Sequence, residues 1–305
     1  MVKRKHRKHW NLLSRVDVVY NIIAYTVLII LFVLITYPLI YVVSASFTKA
    51  EDVISGKMWL FPTSFTLTSY QKIFTNQRIV SGFLNSLFYV IIGTVLSIIC
   101  TFAIAYPLSR KDFAARRPII KFLSVTLFFG GGLVPTFLLI KSIGMYNTRW
   151  ALIIPSLISV WNVILVRTYF MSAIPDELLD AAKIDGCGNI RFLIQIVMPL
   201  AKPILAVLIM YNVLGRWNSY FDAMIYLDDA TKYPLQLILR QILINNDSSV
   251  ITGGSIGGAD MADQMNAIEG MKYAVMVVSS IPMIIVCFFT QKYFKKGALL
   301  GSMKG

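Results

Sequence analysis

The chain has 305 residues, of which 57% are hydrophobic and only 14% charged, with a net charge of +14 and a mean hydropathy of +0.68. A soluble domain carries about 25% charged residues, so this deficit, with several apolar runs of roughly 20 residues, excludes a water-soluble fold and predicts an all-α polytopic membrane protein. The runs are continuous rather than alternating, which excludes a β-barrel, and three scattered cysteines with two N-terminal histidines offer neither a disulfide scaffold nor a metal site.

Residues 1–18 form a basic tail containing Lys3, Arg4, Lys5, Arg7, Lys8 and Arg15. Such a tail could bind RNA or anionic lipid, but in a membrane protein it is first a cytoplasmic topology anchor, so no nucleic-acid partner is expected. The first predicted span, 19–43, is too long for a cleaved signal segment. Residues 44–82 make a polar outer loop with Trp59, Phe61, Phe65 and Tyr70, suited to a membrane surface or a partner. The second span is 83–108. A short basic cytoplasmic loop follows, with Arg110, Lys111, Arg116, Arg117 and Lys121. The third span, 119–140, carries Gly130, Gly131, Gly132 and Pro135, which suit close helix packing or a bend. A short outer turn leads to the fourth span, 150–170.

Between that span and the next lies a polar stretch, 174–203. Pro175 can open a helix but not continue one. Asp176 and Glu177 then sit in a first turn, where negative charge complements the dipole, and Gly186 ends it with an expected positive φ. Asn189 can cap a second short helix ending before Pro199. The fifth span is 204–221. An acidic outer segment, 222–271, includes a predicted helix over 235–244 and a Gly/Ser-rich part at 248–258. The sixth span is 273–294, and 295–305 is a basic tail. Most of the 29 Lys and Arg fall in segments placed inside, which puts both termini and the 174–203 stretch in the cytoplasm.

Asp180-Ala181-Ala182, then Asp185-Gly186, then Pro199 resembles the Glu-Ala-Ala loop of bacterial ABC-importer permeases. The spacing and the position before the last pair of spans both match, with Asp180 in place of the usual Glu. In that family the loop is a coupling helix seated in a cleft of the ATP-hydrolysing subunit. The resemblance implies that Asp180 meets a basic partner there, while Ala181 and Ala182 let the helix seat closely. Six spans, the long first outer loop, the IGMYNTRWALIIPSL and GRWNSYFDAMIYL stretches and the KKGALLGSMKG ending are similar to maltose-type sugar-importer permeases, their oligosaccharide branch above all. This implies a membrane-embedded transport subunit in the bacterial cytoplasmic membrane. Its partners would be a second homologous permease, two ATPase subunits and a solute-binding protein. ATP and its magnesium would be bound by those ATPase subunits.

The chain itself has no phosphate-cradling loop and no hydrolase or metalloprotease motif. Its spans carry almost no ionisable groups beyond Arg167 and Arg216 near their ends, against an intramembrane enzyme or a proton-coupled carrier. They do carry uncharged polar and aromatic residues: Asn85, Tyr89, Trp161, Asn162, Tyr211, Asn212, Trp217, Asn218 and Tyr220. Amides bond sugar hydroxyls and aromatic faces stack on sugar rings; the same residues also serve interfacial belts and helix contacts. The Trp161-Asn162 and Trp217-Asn218 pairs are the preferred pathway candidates. The competing readings are an importer of the same fold for amino acids or polyamines, and a stand-alone channel or membrane enzyme.

Overall fold

The structure, a computed structural model, describes residues 15–244 and 261–302, with the side chains of 17–244 and 269–291. The described residues are helical and contain no named strand; one isolated bridge joins Thr48 to Phe65. In chain order the helices are α1 (Arg15–Ser46), α2 (Ala50–Ile54), α3 (Thr68–Thr75), α4 (Gln77–Ser109), α5 (Arg116–Phe128), α6 (Leu133–Ser142) and α7 (Trp150–Ile153). They continue with α8 (Val160–Ala173), α9 (Asp176–Ile184), α10 (Asn189–Leu200), α11 (Lys202–Trp217), α12 (Phe221–Tyr226), α13 (Leu235–Ile244) and α14 (Met261–Ser302).

Three of these, α1, α4 and α14, are each long and apolar enough to cross a membrane; α5 with α6 and α10 with α11 reach that length only as bent pairs. The predicted third span, 119–140, is therefore not one straight helix. It turns by 114° between α5 and α6, where Gly132 takes φ +79° and nothing lies within 4 Å of a Cβ built on Gly130. The glycines there serve the turn, not close packing. The predicted fourth span, 150–170, is interrupted from Ile154 to Ser159. Pro155 has no amide hydrogen to bond back to the preceding turn, and the Ser156 hydroxyl fills the gap by donating to the carbonyls of Leu152 (3.1 Å) and Ile153 (3.3 Å).

Other boundaries move too. The helix predicted over 204–221 stops at Trp217, with Asn218 as its cap residue, and α14 begins at Met261 and runs to Ser302, well beyond the predicted 273–294. The loop 44–82 contains α2 and α3. The second short helix of the 174–203 stretch does not stop before Pro199. A π turn over Leu193–Val197 widens the backbone, and Pro199 then enters the first turn of the next α-helical segment. Asn189 is the first residue of that helix rather than its cap, and its side-chain oxygen instead accepts from Arg110. The 235–244 helix stands where the sequence placed it. The basic residues 1–14 and the Gly/Ser-rich 248–258 lie outside the described residues.

The centre of the molecule is α4. Its small or polar residues, among them Gly82, Ser86, Gly93, Ser97 and Ala105, are buried where α8, α11 and α13 pack against it. Two apolar cores result. One joins Phe102 and Ala105 of α4 to Val163, Val166 and Phe170 of α8 and to Leu208 of α11, and extends to Ala182 of α9 and Phe192 of α10. The other gathers Ile79, Val90, Trp217, Leu235, Ile238 and Met271. By contrast, α1 presents almost all of its apolar surface outward, and no residue of α5 is buried.

Candidate functional site

A cavity of about 520 Å³ opens beside α4, between the α7–α8 break and α11. The interruption at Pro155 brings Ser156 and Ser159 to its wall, and the first turn of α8 adds Trp161 and Asn162. Across from them α11 contributes Tyr211, Asn212, Gly215 and Arg216, while Tyr89 comes from α4 and Ser219 and Asp222 from the segment after α11. Ser159 caps α8, its Oγ accepting from the Asn162 amide at 3.4 Å. Trp161 is 62% exposed, so its indole face is available to a ligand. The surface is a mixture of ring faces, hydroxyls and amides.

The structure therefore divides the residues marked in the sequence. Trp161, Asn162 and Asn212, with Tyr89 and Tyr211, line one cavity. Asn85 does not. It is buried, its amide donates to the carbonyls of Thr231 (2.7 Å) and Tyr233 (3.2 Å), and its oxygen accepts from Arg149 (3.1 Å). Asn85 thus stitches α4 to the segment just before α13. Trp217 is also turned away. It is 1% exposed, edge-on to Phe83, and its indole nitrogen donates to the Ser279 carbonyl at 2.9 Å. That placement corrects its assignment to the pathway: the indole locks α11 to α14. Asn218 bonds back to Leu214 at 3.0 Å, and Tyr220 lies under the Arg240 guanidinium; neither lines this cavity. The sequence places Arg216 only near a span end and does not single out Ser156 and Ser159, although a Pro-Ser step inside an apolar run marks a broken helix.

The second site is the α9–α10 stretch. Helix α9 ends in two reversed bonds: the Cys187 amide donates to the Ala182 carbonyl at 2.8 Å and the Gly186 amide to the Lys183 carbonyl at 3.0 Å. This pattern requires a left-handed residue at the turn, and Gly186 supplies φ +73°. Only Ala182 of α9 is buried, against the molecule's own α4–α8 core. The expectation that Ala182 seats in a partner's cleft is corrected accordingly, since its methyl faces inward. Ala181, Asp180 and Asp185 face outward, and Ile184 (87% exposed) and Ile190 (75% exposed) stand bare beside them.

Ion pairs fasten this stretch to the α4–α5 loop. Asp112 pairs with Arg110 and, at 3.4 Å, with Lys183 of α9; Lys111 pairs with Asp176 at 2.5 Å. The Arg110 guanidinium, bonded to Asp112, holds that carboxyl well below the usual carboxylate range, with Lys183 adding to the shift. Asp176 in turn raises the Lys111 ammonium. Asp180 lies 3.9 Å from Lys183 and is otherwise open. Both sites are mechanically continuous, because α8 runs from the cavity wall to the start of α9.

A family model described as "Binding-protein-dependent transport system inner membrane component" matches residues 93–299, which span the cavity helices and the α9–α10 stretch together. The chain belongs to that family. This permease is 38% identical over 286 residues to the polygalacturonan/rhamnogalacturonan transport system permease protein YtcP of Bacillus subtilis (strain 168), covering 94% of this chain and 98% of that one. It is 35% identical over 268 residues to protein LplC of the same organism, covering 88% and 89%. Among solved structures it is similar to a chain from the crystal structure of a bacterial ABC transporter involved in the import of the acidic polysaccharide alginate. The TM-score is 0.84 at 30% identity, covering 93% of this chain and 99% of that chain.

Proposed function

We propose that this permease forms half of the translocation pathway of an ATP-driven, binding-protein-dependent oligosaccharide importer. The observation that carries the reading is the cavity, about 520 Å³ lined by Tyr89, Trp161 and Tyr211 with hydroxyl and amide groups between them. Ring faces beside hydrogen-bonding groups suit the two kinds of surface a sugar presents. The relative described as a polygalacturonan/rhamnogalacturonan transport system permease supports the same class. An amino-acid or polyamine importer is less well served by so aromatic a wall.

In this reading the chain crosses the membrane six times, with the α5–α6 and α7–α8 breaks inside two of the crossings and both termini in the cytoplasm. The outward apolar faces of α1, α5 and α6 then meet lipid and a second, homologous permease. The α9–α10 stretch is the coupling element, and two ATPase subunits that bind ATP and magnesium dock on its outward side, where Asp180, Ala181, Asp185, Ile184 and Ile190 are available. A solute-binding protein delivers the sugar from outside. The test is uptake into proteoliposomes holding this chain, its homologous partner permease, the ATPase and the binding protein. ATP-dependent accumulation of an oligosaccharide is expected, and it should vanish when the binding protein is omitted. Accumulation by this chain alone, without ATP, would overturn the reading in favour of a channel.

A further inference from the structure

The cavity holds an unmatched cation. Arg216 is half-buried in its wall and spends two of its five N–H groups on one residue: Nη1 donates to Ser156 Oγ at 2.9 Å and Nη2 to the Ser156 carbonyl at 3.0 Å. Its Nε is enclosed and has no acceptor among the described residues. No described carboxylate makes an ion pair with it. Asp222, the other charged group on the wall, instead accepts from Ser219 Oγ at 3.5 Å.

Two further features are arranged around this group. A Cβ on Gly93 would lie 2.6–2.7 Å from Nη1, Cζ and Nε of Arg216, so the guanidinium rests on the bare α4 backbone and any larger residue there would make it shift from this position. Ser159, Trp161 and Asn162, the cap and first turn of α8, line the same cavity. The positive end of a 14-residue helix therefore opens into the space that Arg216 charges. Broken helices in transporters place such ends against anionic substrate groups, and a cation left unneutralised within a membrane protein marks a substrate path. A neutral sugar would give neither feature a counter-charge.

Building on the oligosaccharide reading above, we infer that the transported sugar is acidic, and that its carboxylate is received between the Arg216 guanidinium and the first turn of α8. The planar fork of arginine matches a carboxylate with two parallel bonds. Trp161 and Tyr211 then flank the sugar ring. Gly93 is a positioning residue, acting only by seating the guanidinium.

The experiment offers the complete proteoliposome system two pools in turn: partial hydrolysates of polygalacturonate and alginate, which are acidic, and of arabinan and xylan, which are neutral. Accumulated sugars are read by mass spectrometry. Acidic oligosaccharides are expected inside and neutral ones not. Arg216→Gln should cut acidic uptake roughly thirtyfold or more, since removing one partner of a buried charge pair leaves the other unmatched, and Arg216→Lys should restore part of it. Gly93→Ala should reproduce the loss and add nothing to it in the Arg216→Gln background, with each complex shown to be assembled by co-purification. Uptake of the neutral pool alone would overturn the inference and leave oligosaccharide import standing. Acidic uptake unchanged in Arg216→Gln would reduce Arg216 to a staple for Ser156. Uptake of neither pool, with ATP hydrolysis stimulated by a non-sugar solute, would instead overturn the oligosaccharide reading beneath it.

Discussion

Gly186 separates backbone geometry from packing at the proposed coupling stretch. It holds φ +73° at the end of α9, and nothing lies within 4 Å of the position a Cβ would take. Substituting it therefore introduces no clash, and the whole effect is the strain of a side-chain-bearing residue in the left-handed region. That costs roughly 1–2 kcal/mol, which weakens the closed helix end by roughly fivefold to thirtyfold. The two reversed bonds, from Cys187 to Ala182 and from Gly186 to Lys183, then open a fraction of the time, and α10 loses its fixed angle to α9. Uptake should fall in the order Gly, Asn, Ala, Val at this position, because Asn tolerates the left-handed region best after Gly. Gly144 is the control. It has the same φ, +73°, and equally open surroundings, but it sits in the turn after α6. The assay is sugar accumulated per ATP hydrolysed in proteoliposomes. Gly186→Val should lower that ratio while Gly144→Val leaves it unchanged. Equal ratios for both variants and the parent would refute the claim that the α9 cap transmits force.

The same stretch separates two kinds of defect. Ala182→Leu forces extra methylenes into the α4–α8 core, costing about 1–3 kcal/mol, so the purified complex should melt earlier; Asp180→Lys, on an open side chain, should abolish binding-protein-stimulated ATP hydrolysis without moving the melting point. Trp217→Phe removes the indole donor to Ser279 and should destabilise the complex by about 1–3 kcal/mol while leaving the sugar preference as it was, which competition uptake would check. The Asp112 carboxyl is held below its ordinary range by Arg110 and Lys183. A lowered folded value means that the stabilisation is complete above the ordinary carboxylate pKa and is lost as pH falls through the lowered value. The protection of the 110–115 amides, measured as exchange relative to the intrinsic rate at each pH, should therefore be constant through neutral pH and fall only in strong acid, and in Asp112→Asn it should be lower throughout the neutral range.

Hydropathy located the long apolar helices because burial in lipid is a bulk property of a run of residues, and α1, α4 and α14, each long and apolar enough to cross a membrane, stand where apolar runs are longest. It could not locate the breaks, because these depend on one or two residues acting through the backbone. Gly130–Gly132 and Pro155 both occur inside apolar runs, yet the first produces a 114° turn and the second a gap of six residues from Ile154 to Ser159. Pro199, with the same missing amide, produces no gap, because a π turn just before it absorbs the misfit. The α9 cap was legible for the opposite reason: a Schellman turn needs only local sequence, and Gly186 met it. The cavity residues show what local sequence leaves out. Trp161 and Trp217 each precede an asparagine and look alike along the chain, but α8 begins at the break and leaves Trp161 62% exposed, whereas Trp217 ends a helix packed on α14 and is 1% exposed. Arg216, adjacent to Trp217, turns by one helical step of about 100° toward Ser156 and the cavity. A charge that the sequence places only near a span end thereby becomes, among the described residues, the guanidinium on the cavity wall, and what places it there is the break at Pro155, which frees the Ser156 carbonyl to accept its bond.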